Sequence, residues 1–451
     1  MAPPARPHAR TDRVRAPGAE LVLAGRAWVG GRLQPVEIGL DGEGRICAVA
    51  RTVPGERRHD VGERVLLPAA TDLHVHLREP GPSDAAESIV TGTEGAALGG
   101  VGLVGEMPNT EPPTTSPDRL EEKAERVHGR AAVDVLLYAA PDDPESVRRL
   151  ALHAGGFKLY LSPTTGIDRP WAASELGPLL AELARVDLPV AVHAEDPACF
   201  RAGGEPADTG AWDEARPAEA EAAAVVRLLA APKSLRLHFA HVTTAGLVRT
   251  IRGRSLSSEA TAHHLLLSTT TVRSALGKVN PPLRSEVERA ALWEEYRSGG
   301  VAVLASDHAP HPRATKDLPF PLAPSGVPGL QSTLPLMLAR VARGDLGLSV
   351  LLQTACDRPA RLLGQPMGRL SVGHRANVLV VDFRARTRLR GERLRSPCGW
   401  TPFEGAEVVF PTEHWRDGER IVEDGEYVGR PQGRVVRPEF APGAVRTPAA
   451  S

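Results

Sequence analysis

Short apolar runs recur through the middle of the chain, between about residues 69 and 370. Each run is followed by a longer alanine-, leucine- and glutamate-rich stretch with helical spacing, as in 213–231 and 284–298. Most of the runs are nearly continuous in apolar residues, which is typical of parallel strands that are buried on both faces. Eight such strands alternating with helices predict an α/β fold, a (β/α)8 or TIM barrel over residues 69–370. The predicted strands are 65–74, 101–107, 133–139, 156–161, 189–195, 235–241, the more polar 255–261, and 301–307.

The two ends of the chain show a different pattern. Residues 20–68 and 371–436 alternate short β-branched or leucine-rich runs with glycine turns, which favours antiparallel strands. Two β-rich pieces that flank a long middle predict one small β-sandwich domain built from both chain ends. Residues 1–19 carry positive charge without an apolar core, so we expect a disordered leader rather than a secretory signal. The proline- and alanine-rich residues 437–451 are predicted to form a tail.

The charge balance excludes several classes of partner. The 451 residues include 54 Lys plus Arg and 55 Asp plus Glu, which gives a formal net charge of -1. This balance gives no electrostatic reason to expect nucleic acid or a membrane surface as a partner. No apolar run approaches the roughly 20 residues that cross a bilayer. Because Cys47, Cys199, Cys356 and Cys398 are scattered and form no CxxC pair, we expect reduced thiols in a cytoplasmic protein.

Metal-competent side chains stand at or near the ends of several predicted strands. The carboxyl ends of barrel strands converge on one mouth, which carries the active site in enzymes of this fold, so these side chains should meet. Buried imidazoles and charges are costly unless they are hydrogen-bonded, paired or bound to metal. One or two divalent cations would satisfy the whole group. Its members are His74, His76, Lys158, His193, His241 and Asp307.

His74 and His76 have the spacing of residues that point the same way from an extended chain. Both imidazoles can therefore hold one ion at about 2.0–2.1 Å. An isolated HxH pair is more often two ordinary surface histidines. Here the pair directly follows a buried run, which favours the metal interpretation.

Lys158 is one of only five lysines, against 49 arginines, and it lies within an apolar strand. Burial lowers the pKa of a lysine and favours the neutral, nucleophilic amine. Such an amine can react with carbon dioxide to give a carbamate, an anionic ligand able to bridge two metals. A lysine paired with a nearby carboxylate is the alternative. Asp307 is likewise open to three interpretations, as a metal ligand, a general base or a helix N-cap.

Nine segments of the chain resemble the dihydroorotases of the amidohydrolase superfamily. The likeness runs in the expected order from about residue 20 to 430, and HVHLREPG, VNPPLR and DHAPH together make it specific. The FKLYL stretch resembles the forms that use a carbamylated lysine rather than an aspartate. The segments are DLHVHLREPG (72–81), GEMPNT (105–110), GFKLYL (156–161), AVHAED (191–196), FAHVTT (239–244), KVNPPLR (278–284), ASDHAPH (305–311), GVPGLQSTLPLML (326–338) and TPFEG (401–405).

This resemblance implies a zinc-dependent, reversible hydrolysis of the cyclic amide of dihydroorotate to N-carbamoyl-L-aspartate in pyrimidine biosynthesis. Two zinc ions are expected, with His74 and His76 on the first, His193 and His241 on the second, carbamylated Lys158 bridging them, and Asp307 completing the first site as catalytic acid/base. The implied substrate-binding residues are Arg78, Asn109, Asn280 and His311, with backbone amides near Ser325 and Gly326. Arginine's planar fork suits the substrate carboxylate, and Asn and His suit the amide edges of the ring.

Two departures from the family pattern are modest, since neither falls on an expected ligand. Ala262 stands where proline is frequent, and Asn377 stands where aspartate is usual. His263 and His264 are interpreted as supporting or structural residues rather than direct ligands.

Two other functions stay open at this point. A hydantoinase or allantoinase would share the metal residues but not a shell built for a carboxylated substrate. A non-catalytic scaffold that binds aspartate carbamoyltransferase should have lost metal ligands, whereas all six are present. The resemblance also implies a homo-oligomer, such as a dimer, and leaves room for an enzyme that contacts aspartate carbamoyltransferase.

Overall fold

A computed structural model describes residues 18–81, 86–164, 170–254 and 256–440. The predicted leader, residues 1–19, lies outside the described residues except for its last two, and Ala19 already belongs to the first strand. Most of the predicted tail, residues 441–451, lies outside them as well.

The described residues form nineteen strands. They are β1 (Ala19–Val29), β2 (Arg32–Leu40), β3 (Ile46–Ala50), β4 (Gly55–Pro68), β5 (Ala70–Val75), β6 (Val101–Glu106), β7 (Asp134–Ala139), β8 (Gly156–Tyr160), β9 (Pro189–His193), β10 (Arg236–Phe239), β11 (Ser257–Thr261), β12 (Val303–Ala305), β13 (Asn377–Val381), β14 (Thr387–Arg388), β15 (Glu407–Val408), β16 (Glu413–Arg416), β17 (Glu419–Glu423), β18 (Glu426–Tyr427) and β19 (Val435–Val436).

Thirteen α-helices accompany these strands within the same described ranges. They are α1 (Ile89–Gly99), α2 (Pro117–Val127), α3 (Ser146–Leu150), α4 (Leu176–Leu183), α5 (Thr209–Ala215), α6 (Ala218–Leu228), α7 (Ala245–Arg252), α8 (Ala262–Leu266), α9 (Glu286–Arg297), α10 (Arg313–Lys316), α11 (Thr333–Arg343), α12 (Leu348–Leu352) and α13 (Arg358–Leu362). Short 3-10 turns occupy Pro197–Cys199, Ala275–Gly277 and Gly391–Arg393, and a π-helical turn occupies Gln353–Asp357.

The predicted (β/α)8 barrel is confirmed. Strands β5 to β12 lie side by side in sequence order, and each pairs in parallel with the next. A parallel bridge between Val75, the last residue of β5, and His308, which follows β12, joins the first barrel strand to the last. All residues of β6 to β9 are buried, as expected for strands covered by helices outside and by packed side chains within.

The two ends of the chain meet in one eight-stranded sheet. Its order is β18-β17-β16-β13-β4-β1-β2-β3, so the four strands from after the barrel lie on one side, the four from before it lie on the other, and β13 pairs with β4 where they meet. The core of this terminal sheet is apolar and includes Leu23, Ile38, Leu66 and Val378. The last described strand, β19, returns to the barrel and pairs with β7 at its amino end.

One predicted strand is divided in the structure. The run 65–74 was expected to be a single barrel strand, but its first part belongs to β4 and its second part to β5. The division arises because Pro68 pairs with Val378 in the terminal sheet, whereas Ala70 pairs with Val101 in the barrel. The polar seventh run does form a buried strand, β11.

Within the described ranges, no helix combines the length and the apolar character needed to cross a bilayer.

Candidate metal centre

The predicted metal ligands come together at the carboxyl end of the barrel. Five strands place the six residues, because parallel barrel strands bring their carboxyl ends to the same mouth. His74 and Lys158 lie within β5 and β8, and His193 is the last residue of β9. The remaining three, His76, His241 and Asp307, lie one or two residues beyond the ends of β5, β10 and β12.

His74 and His76 each direct an unprotonated ring nitrogen toward Asp307. Nδ1 of His74 lies 2.5 Å from Glu259 Oε1, and Nδ1 of His76 lies 2.7 Å from Asn109 Oδ1. Both partners are acceptors, so each Nδ1 must carry the proton and each Nε2 must offer a lone pair. Those Nε2 atoms lie 3.3 and 3.1 Å from Oδ1 of Asp307. Facing acceptors repel each other unless a cation lies between them.

The protonation state of these imidazoles supports that assignment. Burial, and next the charge of Lys158, lower the pKa of His74. Burial, and next the charge of Arg78, lower the pKa of His76 well below its ordinary value. Both rings are therefore neutral near pH 7, the state in which imidazole binds a metal.

His193 and His241 form a second pair of the same kind. Nε2 of His193 lies 2.7 Å from Glu195 Oε2, so Nδ1 offers its lone pair, 3.0 Å from Nε2 of His241. Nδ1 of His241 is buried and has no hydrogen-bond partner among the described residues. Burial, followed by the neighbouring His193, lowers the pKa of His241 well below its ordinary value. A neutral ring with one unpartnered buried nitrogen is costly unless that nitrogen has a ligand.

Lys158 lies between the two pairs of histidines. Its Nζ is 3.3 Å from Nε2 of His74, and the residue is 1% exposed. Burial lowers the pKa of this amine to about 8, although Glu259 and Asp307 oppose the shift. About a tenth of this amine is therefore neutral at pH 7, far more than for an ordinary lysine.

This donor set fits a divalent cation. Ligand atoms of His74, His241 and Asp307 all lie within 4.8 Å of one another, and all three residues are buried. Their neutral nitrogens and carboxylate oxygen are the ligands that zinc prefers. His241 and Asp307 also adopt positive φ, at 36° and 44°, a conformation that costs about 1–3 kcal/mol in a non-glycine residue. The surrounding structure therefore holds two donors in place against their backbone preference.

Arg78 and His311 lie beside this centre on the loops that follow β5 and β12. Nη2 of Arg78 is 3.3 Å from Nε2 of His311, and that nitrogen is 2.9 Å from the carbonyl oxygen of Ser325. Burial and the charge of Arg78 lower the pKa of His311 to about 3, so its ring is neutral. Arg78, with a φ of 59°, is the third predicted site residue in the left-handed region.

The other predicted substrate residues have partners of their own. Asn109 holds His76, and Oδ1 of Asn280 accepts a hydrogen bond from Trp212 Nε1 at 3.2 Å. The amide N–H of Gly326 donates to the carbonyl of Lys278 at 2.9 Å. The Gly326 amide is thus bonded to a distant segment, and its part in substrate binding stays a prediction.

Glu259 and Glu195 were missed by the sequence reasoning. Both are buried carboxylates that accept from a metal-facing histidine and fix its tautomer. Although burial opposes ionisation, the charge of Arg216 and the hydrogen bond from His193 lower the pKa of Glu195 to about 2. The signal for Glu259 was its place in the one polar strand of the barrel.

The adjacent histidines after β11 have structural contacts. Nδ1 of His264 lies 2.8 Å from Thr261 Oγ1, and its Nε2 donates to the carbonyl of Pro281 at 3.0 Å. The ring of His263 packs against that of His264, with the centroids 4.3 Å apart. Nε2 of His263 is buried without a hydrogen-bond partner among the described residues, and neither histidine belongs to the group of His74, His241 and Asp307.

Comparison with known proteins identifies the family. The model of the amidohydrolase family matches residues 65–410. The dihydroorotase of Halobacterium salinarum is 37% identical over 411 residues, which cover 89% of this chain and 96% of that protein. The chain belongs to the dihydroorotase family of amidohydrolases. The dihydroorotase of Methanosarcina acetivorans supports the same placement, at 34% identity over 88% of this chain and 90% of that protein.

Solved structures support the fold of this dihydroorotase family member. The L-hydantoinase of Arthrobacter aurescens superposes with a TM-score of 0.86 at 28% identity, covering 93% of this chain and all of that one. A D-hydantoinase superposes with a TM-score of 0.83 at 22% identity, which is a likeness of fold alone. Family membership together with the buried His–His–Asp group makes this a metal-dependent hydrolase of cyclic amides with a small-molecule substrate.

Proposed function

We propose that the protein is a dihydroorotase, which opens the ring of (S)-dihydroorotate to give N-carbamoyl-L-aspartate and closes it in the reverse direction. The observation that carries this proposal is the arrangement of lone pairs in the barrel mouth. Three histidines donate one N–H to an oxygen behind them and aim the other nitrogen at a shared centre. An arginine and a neutral histidine lie next to that centre, where a carboxylated ring would bind.

The proposed metals are two zinc ions. His74, His76 and Asp307 would hold the first, His193 and His241 the second, and carbamylated Lys158 would bridge them. The neutral fraction of Lys158 can attack carbon dioxide, forming a nitrogen–carbon bond and releasing one proton. When bound, the ions would supply Lewis acidity toward the ring carbonyl and would lower the pKa of water toward about 7.

Asp307 is the proposed catalytic acid/base. Its carboxylate lies between the bare nitrogens of His74 and His76 and faces the mouth. It would accept a proton from the attacking water as the carbon–oxygen bond forms. When the ring carbon–nitrogen bond breaks, the same carboxyl would return the proton to the departing nitrogen. In ring closure, the two proton transfers run in reverse.

The proposed substrate-binding groups are Arg78, Asn109, Asn280, His311 and the backbone near Ser325 and Gly326. The guanidinium fork of Arg78 suits a carboxylate, and the neutral ring of His311 can share a hydrogen bond with it. Asn109 has an additional proposed role, because its carbonyl oxygen fixes the tautomer of His76.

We also propose a cytoplasmic location, which the four free cysteines support. Assembly as a homo-oligomer such as a dimer, and contact with aspartate carbamoyltransferase, stay predictions that follow from the family resemblance alone.

The decisive experiment compares dihydroorotate, hydantoin and allantoin as substrates of the zinc-loaded protein supplied with bicarbonate. We expect kcat/KM for dihydroorotate to exceed the other two values by at least about 100-fold, because a site built to pair with a carboxylate rejects ligands that lack one. Turnover of hydantoin or allantoin alone would contradict the proposal.

A hydantoinase-type cyclic amidase is the second candidate, since an L-hydantoinase shares the fold over nearly the whole chain. The higher identity to dihydroorotases and the Arg78–His311 pair favour the first candidate. A third reading, a non-catalytic scaffold, would require a chain that binds no zinc and stays inactive after zinc and bicarbonate are added.

A further inference from the structure

Two buried lysines bind the loop that leads from His311 to Gly329: Lys316 belongs to the loop, and Lys278 lies beside it. Lys278 and Lys316 are 5% and 2% exposed, and no described carboxylate pairs with either ammonium group. Burying an ammonium group without a counter-ion is costly unless other acceptors replace its water. Their retention therefore needs an explanation from the groups they contact.

Lys278 gathers one part of the loop. Its Nζ donates to the carbonyl oxygens of Phe320, Pro321 and Ala323 at 2.7, 3.1 and 2.8 Å. The ring centroids of Trp212 and Phe320 lie 4.9 and 5.1 Å from Nζ, and both rings add cation–π attraction. The ammonium group thus acts as the centre around which residues 320–323 turn.

Lys316 joins that turn to a distant segment. Its Nζ donates to the carbonyl oxygens of Pro324, Gly326 and Lys278 at 2.8, 2.9 and 3.3 Å. The carbonyl of Lys278 also accepts from the amide of Gly326. One ammonium group therefore ties residues 324–326 to the start of the KVNPPLR segment. Only a protonated lysine has the three N–H donors that these three acceptors require.

The tied residues contact His311, one of the two side chains proposed to bind the substrate carboxylate. Ser325 lies between the two carbonyls that Lys316 holds, and its own carbonyl contacts Nε2 of His311. Gly326 has a φ of +132°, and a Cβ there would come within 2.5 Å of the carbonyl oxygen of Ala309. A side chain at position 326 would therefore prevent this close approach of the loop to His311, and Lys316 holds the carbonyl of the same glycine.

We propose that Lys316 is a positioning residue for the substrate carboxylate: its ammonium group holds the 324–326 segment against Lys278 and thereby sets His311 beside Arg78. This inference rests on the proposed function, because it assigns the held segment to the binding of a carboxylated ring. Lys278 supports the same arrangement from the opposite side of the loop.

The free-energy cost of burying a charged lysine indicates that Lys316 does more than fill space. Burial, and next the charge of Lys278, lower the pKa of Lys316 to about 7. A methionine of similar length would avoid both the cost of burying a charge and the repulsion from Lys278. The hydrogen bonds to carbonyl oxygens are therefore what the lysine provides and a methionine would not. Removing them would free a segment that must be placed to within about 1 Å for binding to be productive.

The test is Lys316→Met in the zinc-loaded, full-length protein. We expect KM for dihydroorotate to rise by about tenfold or more, with kcat changed less than about threefold and zinc content unchanged. Hydrogen exchange of amides in 318–328 should quicken by on the order of tenfold, while exchange in the barrel strands stays unaltered. Lys316→Gln, which keeps two of the three donors, should fall between wild type and the methionine variant.

A matched control is Lys233→Met, which removes an exposed lysine and should leave KM and exchange unchanged. Unchanged KM and unchanged local exchange in Lys316→Met would overturn the proposal. So would a joint loss of kcat and zinc, since that would place the lysine in support of the metal centre. If wild type fails to turn over dihydroorotate, the proposed function fails. In that case, the exchange measurement still decides whether Lys316 holds the segment.

Discussion

Buried charged groups cluster at both ends of the barrel, and the two clusters are built on different principles. At the carboxyl end, the bare nitrogens of His74 and His76 face the carboxylate of Asp307, and acceptors are turned toward one another. At the amino end, Asp134 begins β7 and accepts from Arg375, from Arg416 and from the backbone of Arg434. Each cluster joins several segments, but only at the amino end do the acceptors face donors of opposite charge.

The difference separates a site from a support. In the Asp134 cluster, arginines meet carboxylates, and Asp417 supplies the second negative charge to Arg375 and Arg434. Such a network attaches the terminal sheet to the amino end of the barrel, and its carboxylates are neutralised by arginines without a bound cation. In the mouth cluster, Nδ1 of His241 has no partner among the described residues, and lone pairs of His74 and His76 face the Asp307 carboxylate, which is the arrangement that a bound cation would satisfy. Buried polar groups therefore do not indicate a functional site when they pair with one another. Buried acceptors that face one another do, and these occur at the end of the barrel where enzymes of this fold carry their active sites.

The largest expected effect comes from Lys158→Met. Loss of the bridging group should reduce bound zinc from two ions to one per chain and lower kcat by about 1,000-fold, because part of the Lewis acidity is lost. Metal analysis and steady-state assays with added bicarbonate measure both quantities. Retention of two ions and of turnover would show that the lysine is not a bridging ligand.

At the opposite end, Asp134→Asn should change stability instead of activity. The substitution removes one of the two carboxylates that neutralise Arg375 and Arg416, and breaking a buried ion pair costs about 3–5 kcal/mol. We expect a lower urea midpoint for unfolding with kcat/KM and zinc content unchanged. A substantial loss of zinc without a loss of stability would contradict the distinction between the two clusters.

Much of this architecture was predictable from the chain, because strand periodicity and polar strand ends are local signals. The eight-stranded barrel was predicted from the apolar runs, and the mouth residues from where those runs end. The division of 65–74 was not, since it depends on the pairing of Pro68 with Val378, about 310 positions away. The engaged amide of Gly326 likewise depends on Lys278, a contact between loops that no local pattern encodes.

Glu259 combines features of the mouth cluster and of the Asp134 cluster. Its substitution has the smallest of the three expected effects. Its carboxylate accepts from Nδ1 of His74 and from Nε2 of His238 at 3.0 Å, so it fixes a ligand without facing the mouth. Against the cost of burial, His74 lowers the pKa of Glu259, which therefore stays ionised. Glu259→Gln should weaken zinc affinity or activity by about 10- to 100-fold, the usual cost of losing a group that orients a metal ligand.

Excess zinc should restore part of that activity, because the ligands themselves remain. Glu295→Gln provides the matched control, since it alters a buried glutamate that pairs with Arg249 and Arg252 on the outer helices. That variant should keep its zinc affinity. If Glu259→Gln instead behaves like Asp134→Asn, losing stability while binding zinc normally, then Glu259 belongs with the supporting charges. Only the residues that contact the metal would then belong to the functional site.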